Sequence, residues 1–252
     1  MSTQSAVRPQ TLEEQSPPEP VYQLEHVTKT YGQGHAAVVA LNNVSLTVGP
    51  REFVAIEGPS GSGKSTLLQQ LGVLDRPSGG RVMFEGRDLA KVGDAEQADL
   101  RRVAIGFVFQ HFNLIPTLTA VQNVEAALAP SDLSSAARHR RAGELIERVG
   151  LSSRAQHLPS QLSGGEQQRV AIARSLANNA RVLLADEPTG NLDTSTGADV
   201  MSTLHRLWQD DGLTMIVITH DPAISTQAPR VLRMQDGRIV SDSAPPGGIA
   251  AS

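Results

Sequence analysis

A short apolar run, "EFVAIE" (Glu52 to Glu57), stops at a glycine, and "GPSGSGKST" (Gly58 to Thr66) leads from it into a helix expected from about Lys64 to Leu71. No other stretch constrains the chain as much as this strand, glycine-rich turn and helix in series. Gly58-x-x-x-x-Gly63-Lys64-Ser65 has the spacing of a phosphate-binding loop, in the context that such a loop requires. Glycines allow successive backbone N–H groups to turn inward around an anion without Cβ clashes. Pro59, Ser60, Gly61, Ser62 and Thr66 complete the cradle. Lys64 is placed to reach β and γ phosphates, and the Ser65 hydroxyl to ligate Mg²⁺. Lysine is otherwise scarce, three residues against nineteen arginines, and a compact charge on a flexible stem suits this position. The alternative is an accidental glycine-rich turn.

The remaining pattern is that of a mostly parallel α/β core. "VSLTV" (Val44 to Val48) alternates as a half-buried strand does, "RVMFEGRDL" reads as a hairpin turning at Glu85-Gly86, and "IGFVF" (Ile105 to Phe109) as a buried strand. From roughly Gln110 to Gln161 the chain turns helical. Ala142, Leu145, Ile146 and Val149 share one helical face there. "RVLLAD" and "TMIVITHD" read as two fully buried parallel strands with a helix between them, near Thr194 to Trp208. "RVLRMQDGRIV" closes the chain as a hairpin turning at Asp236-Gly237.

With 252 residues the chain has ample length for a core. A net charge of −4 gives no electrostatic case for nucleic acid. The absence of cysteine excludes disulfides and thiolate metal sites. No apolar run approaches the roughly 20 residues that span a bilayer, so direct membrane insertion is not expected. The first twenty residues lack the apolar segment of a signal peptide, and 1–20 and 244–252 read as disordered tails.

Four further residues converge on the loop. Asp186 falls at the carboxyl end of a buried strand, where open α/β sheets place ligand-binding groups, and would hold Mg²⁺ opposite Ser65. Glu187 beside it is available to take a proton from an attacking water. The alternative for this acid pair, followed by Pro188, is a helix N-cap. His220 ends the neighbouring strand, where its imidazole would contact a γ-phosphate; elsewhere such a histidine is a satisfied turn residue. Gln110, on the same edge, reads as a sensor of metal or water, or as a plain loop amide.

A second glycine helix start, "LSGGEQQRVAIARSL" (Leu162 to Leu176), raises the question of why one chain carries two anion sites. Taken in order, "GPSGSGKST", Gln110, "LSGGE", "VLLADE", "GNLD" (Gly190 to Asp193) and His220 resemble the Walker A, Q-loop, signature, Walker B, D-loop and switch-histidine motifs of an ABC transporter ATP-binding subunit, over about Val21 to Val240. Tyr31, in "TKTYGQG", matches the aromatic that stacks on adenine, the alternative being simple packing. The wording of "LGVLDRPSGG", "FNLIPTLTAVQNVE" and "LADEPTGNLD" is similar to the macrolide-export and lipoprotein-release branch. Glu166 departs from the family's usual glutamine and adds a carboxylate near an anion site.

The resemblance implies an α/β P-loop NTPase (RecA-like) core with an N-terminal antiparallel β subdomain and an inserted α-helical subdomain at about 94–162, within a domain spanning 21–243. It also implies ATP and Mg²⁺. Two copies would pack head to tail, so that Ser163, Gly164 and Gly165 of one face the phosphate loop of the other. Further implications are catalytic roles for Lys64, Glu187 and His220, a separate integral membrane permease, and a peripheral place on the inner face of the plasma membrane. Phe112, Leu114 and Ile115 read either as the groove that receives the permease or as core of the insertion. Efflux or extraction of a hydrophobic molecule or lipoprotein is the expected work. A mechanical switch acting through a cell-division-type permease, without transport, is the alternative.

Overall fold

In the computed structural model, which describes residues 19–244, two sheets are joined beside the glycine-rich loop. Chain order begins β1 (Tyr22–Tyr31), β2 (Val38–Val48), β3 (Phe53–Glu57), α1 (Lys64–Leu71), β4 (Gly79–Phe84), β5 (Arg87–Asp88), α2 (Asp94–Val103) and β6 (Ile105–Val108). Helices α3 (Ala120–Ala127), α4 (Ser135–Arg148) and α5 (Gly164–Ser175) follow. The chain then runs through β7 (Val182–Asp186), α6 (Thr194–Asp211), β8 (Thr214–Thr219), the short α7 (Pro222–Ser225), β9 (Arg230–Gln235) and β10 (Arg238–Asp242). The stretches 1–18 and 245–252 of the expected tails lie outside the described residues.

Strands β2-β1-β4-β5 form an antiparallel sheet. The second sheet runs β10-β9-β3-β8-β7-β6, parallel from β9 to β6 with β10 antiparallel at the edge. Covered on both faces, β3, β7 and β8 tolerate only apolar runs, whereas β2 alternates buried Val44, Leu46 and Val48 with exposed Ser45 and Thr47. One core lies between the antiparallel sheet, α1 and the parallel sheet, and contains Leu24, Leu46, Ile56, Leu67 and Phe84. Buried Tyr22 joins these layers by donating its hydroxyl to the Leu71 carbonyl at 2.9 Å. On the other face, Val124, Leu145, Ile146, Ile172 and Leu204 make a second core with Val217.

The helical span read as 94–162 needs correction. β6 falls inside it, pairs in parallel with β7 and is largely buried, so the main sheet extends into that range. The helices lying between β6 and the second glycine helix start are α3 and α4. Thr119 caps α3 in a capping box with Gln122, and Ser134 caps α4.

Strand order also sets the site. β8 lies between β3 and β7, so the residue ending β8 stands between the glycine-rich loop and the acid pair. The closing hairpin turns at Asp236 and Gly237, both at positive φ, and its tip is pinned to the site. Gly237 N–H donates to Ser62 O at 3.0 Å, and Asn42 N–H donates to Gly237 O at 2.8 Å.

Candidate nucleotide-hydrolysis site

The loop after β3 is shaped by close approach. A Cβ at Gly63, whose φ is 98°, would lie 2.4 Å from the Ala40 carbonyl oxygen. Gly63 is also the N-cap of α1, with no side-chain cap and no acidic residue in the helix's first turn. The positive end of α1 is therefore left for an external anion. Lys64 is largely buried and folds over the loop, its Nζ donating to Gly58 O (2.8 Å) and Pro59 O (2.9 Å). A recess of about 310 Å³ opens here, lined by Gly61, Gly63, Lys64, Ser65 and Thr66 on one side and by Tyr31 and Val38 on the other. A larger recess of about 670 Å³, lined by Arg51, Arg141, Arg148 and Arg181, shares no residue with it.

Tyr31 is 40% exposed, so packing does not account for it. Its hydroxyl donates to the Asp75 carboxylate (3.0 Å) with Gln69 Oε1 also within 3.2 Å, which fixes the ring beside the loop, and Lys29 Nζ stands 5.0 Å from the ring centroid. Burial, and then the Asp75 carboxylate, raise the pKa of this hydroxyl.

At the end of β7, Asp186 is pushed above the ordinary aspartate range by burial and then by the Glu187 charge, while Lys64 and the Ser65 hydroxyl pull it down. Asp186, Lys64 and Ser65 thus share one electrostatic environment. The N-cap alternative for the acid pair does not hold, because α6 begins at Thr194 and is capped by Asp193, whose carboxylate accepts from Thr196 N–H at 3.0 Å. Glu187 instead has a left-handed backbone (φ 47°), anchored by its N–H on Ile218 O at 2.9 Å. One of its carboxylate oxygens lies 2.7 Å from His220 Nδ1. His220, read as a γ-phosphate contact, is thus joined directly to Glu187.

Gln110, read as a sensor of metal or water or as a plain loop amide, bonds to the loop after Glu187. Its Nε2 donates to Asn191 Oδ1 (3.2 Å), and Asn191 Nδ2 returns a bond to the Gln110 carbonyl (2.9 Å). The amide is engaged with the loop after Glu187, and not with Ser65 or Asp186. Asn191 is a site residue that the sequence reading carried only as part of a motif.

The second glycine start is built for contact. Ser163 caps α5 in a capping box, accepting from Glu166 N–H (3.2 Å) and donating its own N–H to Glu166 Oε2 (2.8 Å). Ser163 is exposed and lines no part of the cleft formed by its own phosphate loop. Gly165 lies against α6 for a different reason, since a Cβ there would come 2.3 Å from Thr196 Cγ2 and the threonine would have to shift.

Residues 41–190, more than half of the chain, match the sequence pattern of the ABC transporter family. The chain belongs to that family. A macrolide export ATP-binding/permease protein, MacB, of Sodalis glossinidius is 47% identical over 89% of the chain, which spans only 34% of that relative. An ABC transporter ATP-binding protein of Methanocaldococcus jannaschii is 48% identical over 86% of the chain and 96% of its own length. A solved dimeric ATP-binding cassette in a post-hydrolysis state, bound to ADP and Pi, superposes with a TM-score of 0.80 at 45% identity, covering 88% of this chain and 97% of that one. The fold is that of a P-loop NTPase, and the chain carries an ABC transporter ATP-binding domain with the ATPase fold. Among the described residues no helix is long and apolar enough to cross a membrane.

The cassette's carboxylate at 166 is not a stray charge. Arg154 Nε pairs with it at 3.2 Å, and the capping N–H and hydroxyl of Ser163 together with Arg154 hold its pKa below the ordinary glutamate range against burial. A depressed folded pKa contributes stability that is present above the unfolded value, about 4.3, and is lost as pH falls through the folded one. Glu166→Gln keeps the box but not the charge. Urea unfolding should show the variant about 0.5–1 kcal/mol less stable above pH 5, a size limited by the exposure of Arg154, with the gap closing below about pH 4. A gap independent of pH would remove the charge from the account.

Proposed function

We propose that this cassette hydrolyses ATP between two copies packed head to tail, and that closing and opening of the pair drives a separate membrane permease in efflux or extraction of a hydrophobic molecule or lipoprotein. The observation that carries this reading is the pair of anion-binding helix starts, one inside the cleft and one exposed and apart from it. A second copy, related by a two-fold axis, repeats every contact and seals both sites. The Ser163 hydroxyl accepts from Glu166 N–H, which leaves its own proton for a phosphate oxygen. About three charge-assisted hydrogen bonds per site, at roughly 1.5–3 kcal/mol each, amount to about 9–18 kcal/mol gross over two sites. Switching a population from mostly open to mostly closed needs about 5.5 kcal/mol of differential binding. The γ-phosphate supplies that difference, and ADP does not.

In this reading Lys64 grips the β and γ phosphates and the Tyr31 ring stacks on adenine. Glu187 takes the proton of the attacking water, while His220 orients the carboxylate and lies on the γ-phosphate side. Among the described residues no group of three His, Cys, Asp or Glu could hold a metal, and Mg²⁺ on a nucleotide needs only one or two protein oxygens. The half-buried Asp186 carboxylate and the Ser65 hydroxyl fit that role, since a divalent cation would offset the burial that disfavours the Asp186 charge. Mg²⁺ held there would neutralise charge on the phosphates.

The permease would place the cassette on the inner face of the plasma membrane. Of the three docking candidates, Leu114 packs on the helical core and Phe112 is half-buried beside Gly164, while Ile115 is 44% exposed. Ile115→Asp should therefore abolish co-purification with the permease in mild detergent while ATP affinity stays within about twofold. Leu114→Asp would charge a core contact and report on folding instead. Undiminished co-purification of Ile115→Asp would move the docking surface elsewhere. Stimulation of ATP hydrolysis by a hydrophobic transported molecule, with the permease present, tests the transport reading itself.

A further inference from the structure

Gln168, on the second turn of α5, is fully buried, and its amide bridges two segments of the site. Its Nε2 donates to Pro188 O at 2.6 Å and to Phe109 O at 3.3 Å. Pro188 directly follows Glu187, and Phe109 directly precedes Gln110. The Oε1 atom of the same amide is buried without a partner among the described residues. A purely structural amide would be expected to satisfy both ends, since a buried unpaired acceptor is costly. Only the donor end is used here, and both of its bonds go to backbone carbonyls next to site residues.

Glu187 gives those bonds a purpose. A left-handed backbone at a non-glycine residue persists only where its surroundings over-determine it. The Glu187 N–H is fixed by Ile218, and its carbonyl accepts from Gly190 N–H at 3.0 Å. The next carbonyl along, that of Pro188, is held by Gln168. Together these bonds clamp the peptides on either side of Glu187. A displacement of α5 would be passed to the Glu187 carboxylate through one amide.

We propose that Gln168 is a positioning residue for ATP hydrolysis: its amide ties the backbone after Glu187 to the end of β6 and so aims the carboxylate at the attacking water. The inference rests on Glu187 acting as the base. Gln168→Met keeps length and removes both donors. In the full chain with MgATP it should lower kcat about 10–100-fold while KM and ATP affinity stay within about twofold. The deciding measurement is a double-mutant cycle. In a Glu187→Gln background, Gln168→Met should change the residual rate by less than about twofold, because the group it positions is already gone. A general packing role would instead cost the same factor in both backgrounds, and that result overturns the proposal. Parallel loss of ATP affinity and kcat in both Gln168→Met and Gln168→Leu overturns it as well. If Glu187→Gln alone hydrolyses ATP normally, the reading of the base has failed. If Glu187→Gln is inactive and Gln168→Met is fully active, only the role of Gln168 has failed.

Discussion

Glu187→Gln should bind MgATP as tightly as the unaltered cassette, hydrolyse it about 10²–10⁴-fold more slowly, and accumulate as an ATP-dependent dimer. The amide preserves the shape that the backbone of residue 187 imposes. Its Oε1 can still receive a hydrogen bond from His220, which lies 2.7 Å from the carboxylate. It cannot take a proton from water. The phosphate-gripping groups, Lys64 and the uncapped start of α1, are untouched. Binding and chemistry therefore separate in this variant more cleanly than in any change to the loop. With ATP bound and not consumed, the bonds that close the pair persist, so pairing becomes visible by light scattering. Phosphate release at a rate near that of the unaltered chain would remove Glu187 from the role of base and leave His220 as the next candidate.

His220→Ala differs in kind, because it leaves the carboxylate in place and removes its orienting partner. The 70% exposure of the imidazole, against 17% for the Glu187 side chain, lets the ring leave without opening a cavity. The contrast between the two residues follows from strand order. β8 separates β3 from β7, and His220 reaches the acid pair from the strand beside it.

That the strands of Asp186 and His220 are neighbours was read from the sequence, but that β8 stands between β3 and β7 was not. Buried runs such as "RVLLAD" and "TMIVIT" announce parallel strands, and their ends announce ligand groups, but crossover connections decide which strand lies between which. β6 was legible as a strand, yet the helices flanking it drew it into the helical span, because four residues carry too little periodicity to claim their own layer. The bond between Gln110 and Asn191 left no signal, since it joins residues 81 apart that local patterns never compare. At Glu166, read only as a carboxylate near an anion site, a local signal was present and unused. Ser163-x-x-Glu166 is a capping-box spacing, and it announces the pairing that the structure has. Gln168 left no readable signal, because a buried glutamine between polar neighbours looks like any helix-surface residue until α5 is docked.

Mixed pairs carry the largest remaining consequence of the exposed signature. Lys64→Ala in one copy disables the phosphate loop of that copy. Ser163→Arg in the other disables the signature facing the same nucleotide. Both defects then fall in one site, and the second site keeps an intact loop and an intact signature, so hydrolysis should persist at about the level of one site. Placing both changes in the same copy spoils one half of each site, and hydrolysis should fall to background. Neither change threatens the fold. Ser163→Arg loses an N-cap hydrogen bond worth about 1 kcal/mol, small beside the roughly 5–15 kcal/mol of a domain. Lys64→Ala takes a donor from the carbonyls of half-buried Gly58 and exposed Pro59, which water can reach in its place. The comparison uses the same two substitutions in two arrangements, so expression, stability and total lesion count are matched. Only the assignment of Ser163 to its own or to its partner's nucleotide differs. If activity survives when both changes share a copy and is lost when they are split, each chain serves its own ATP, and the exposed helix start of α5 has some other anion to bind.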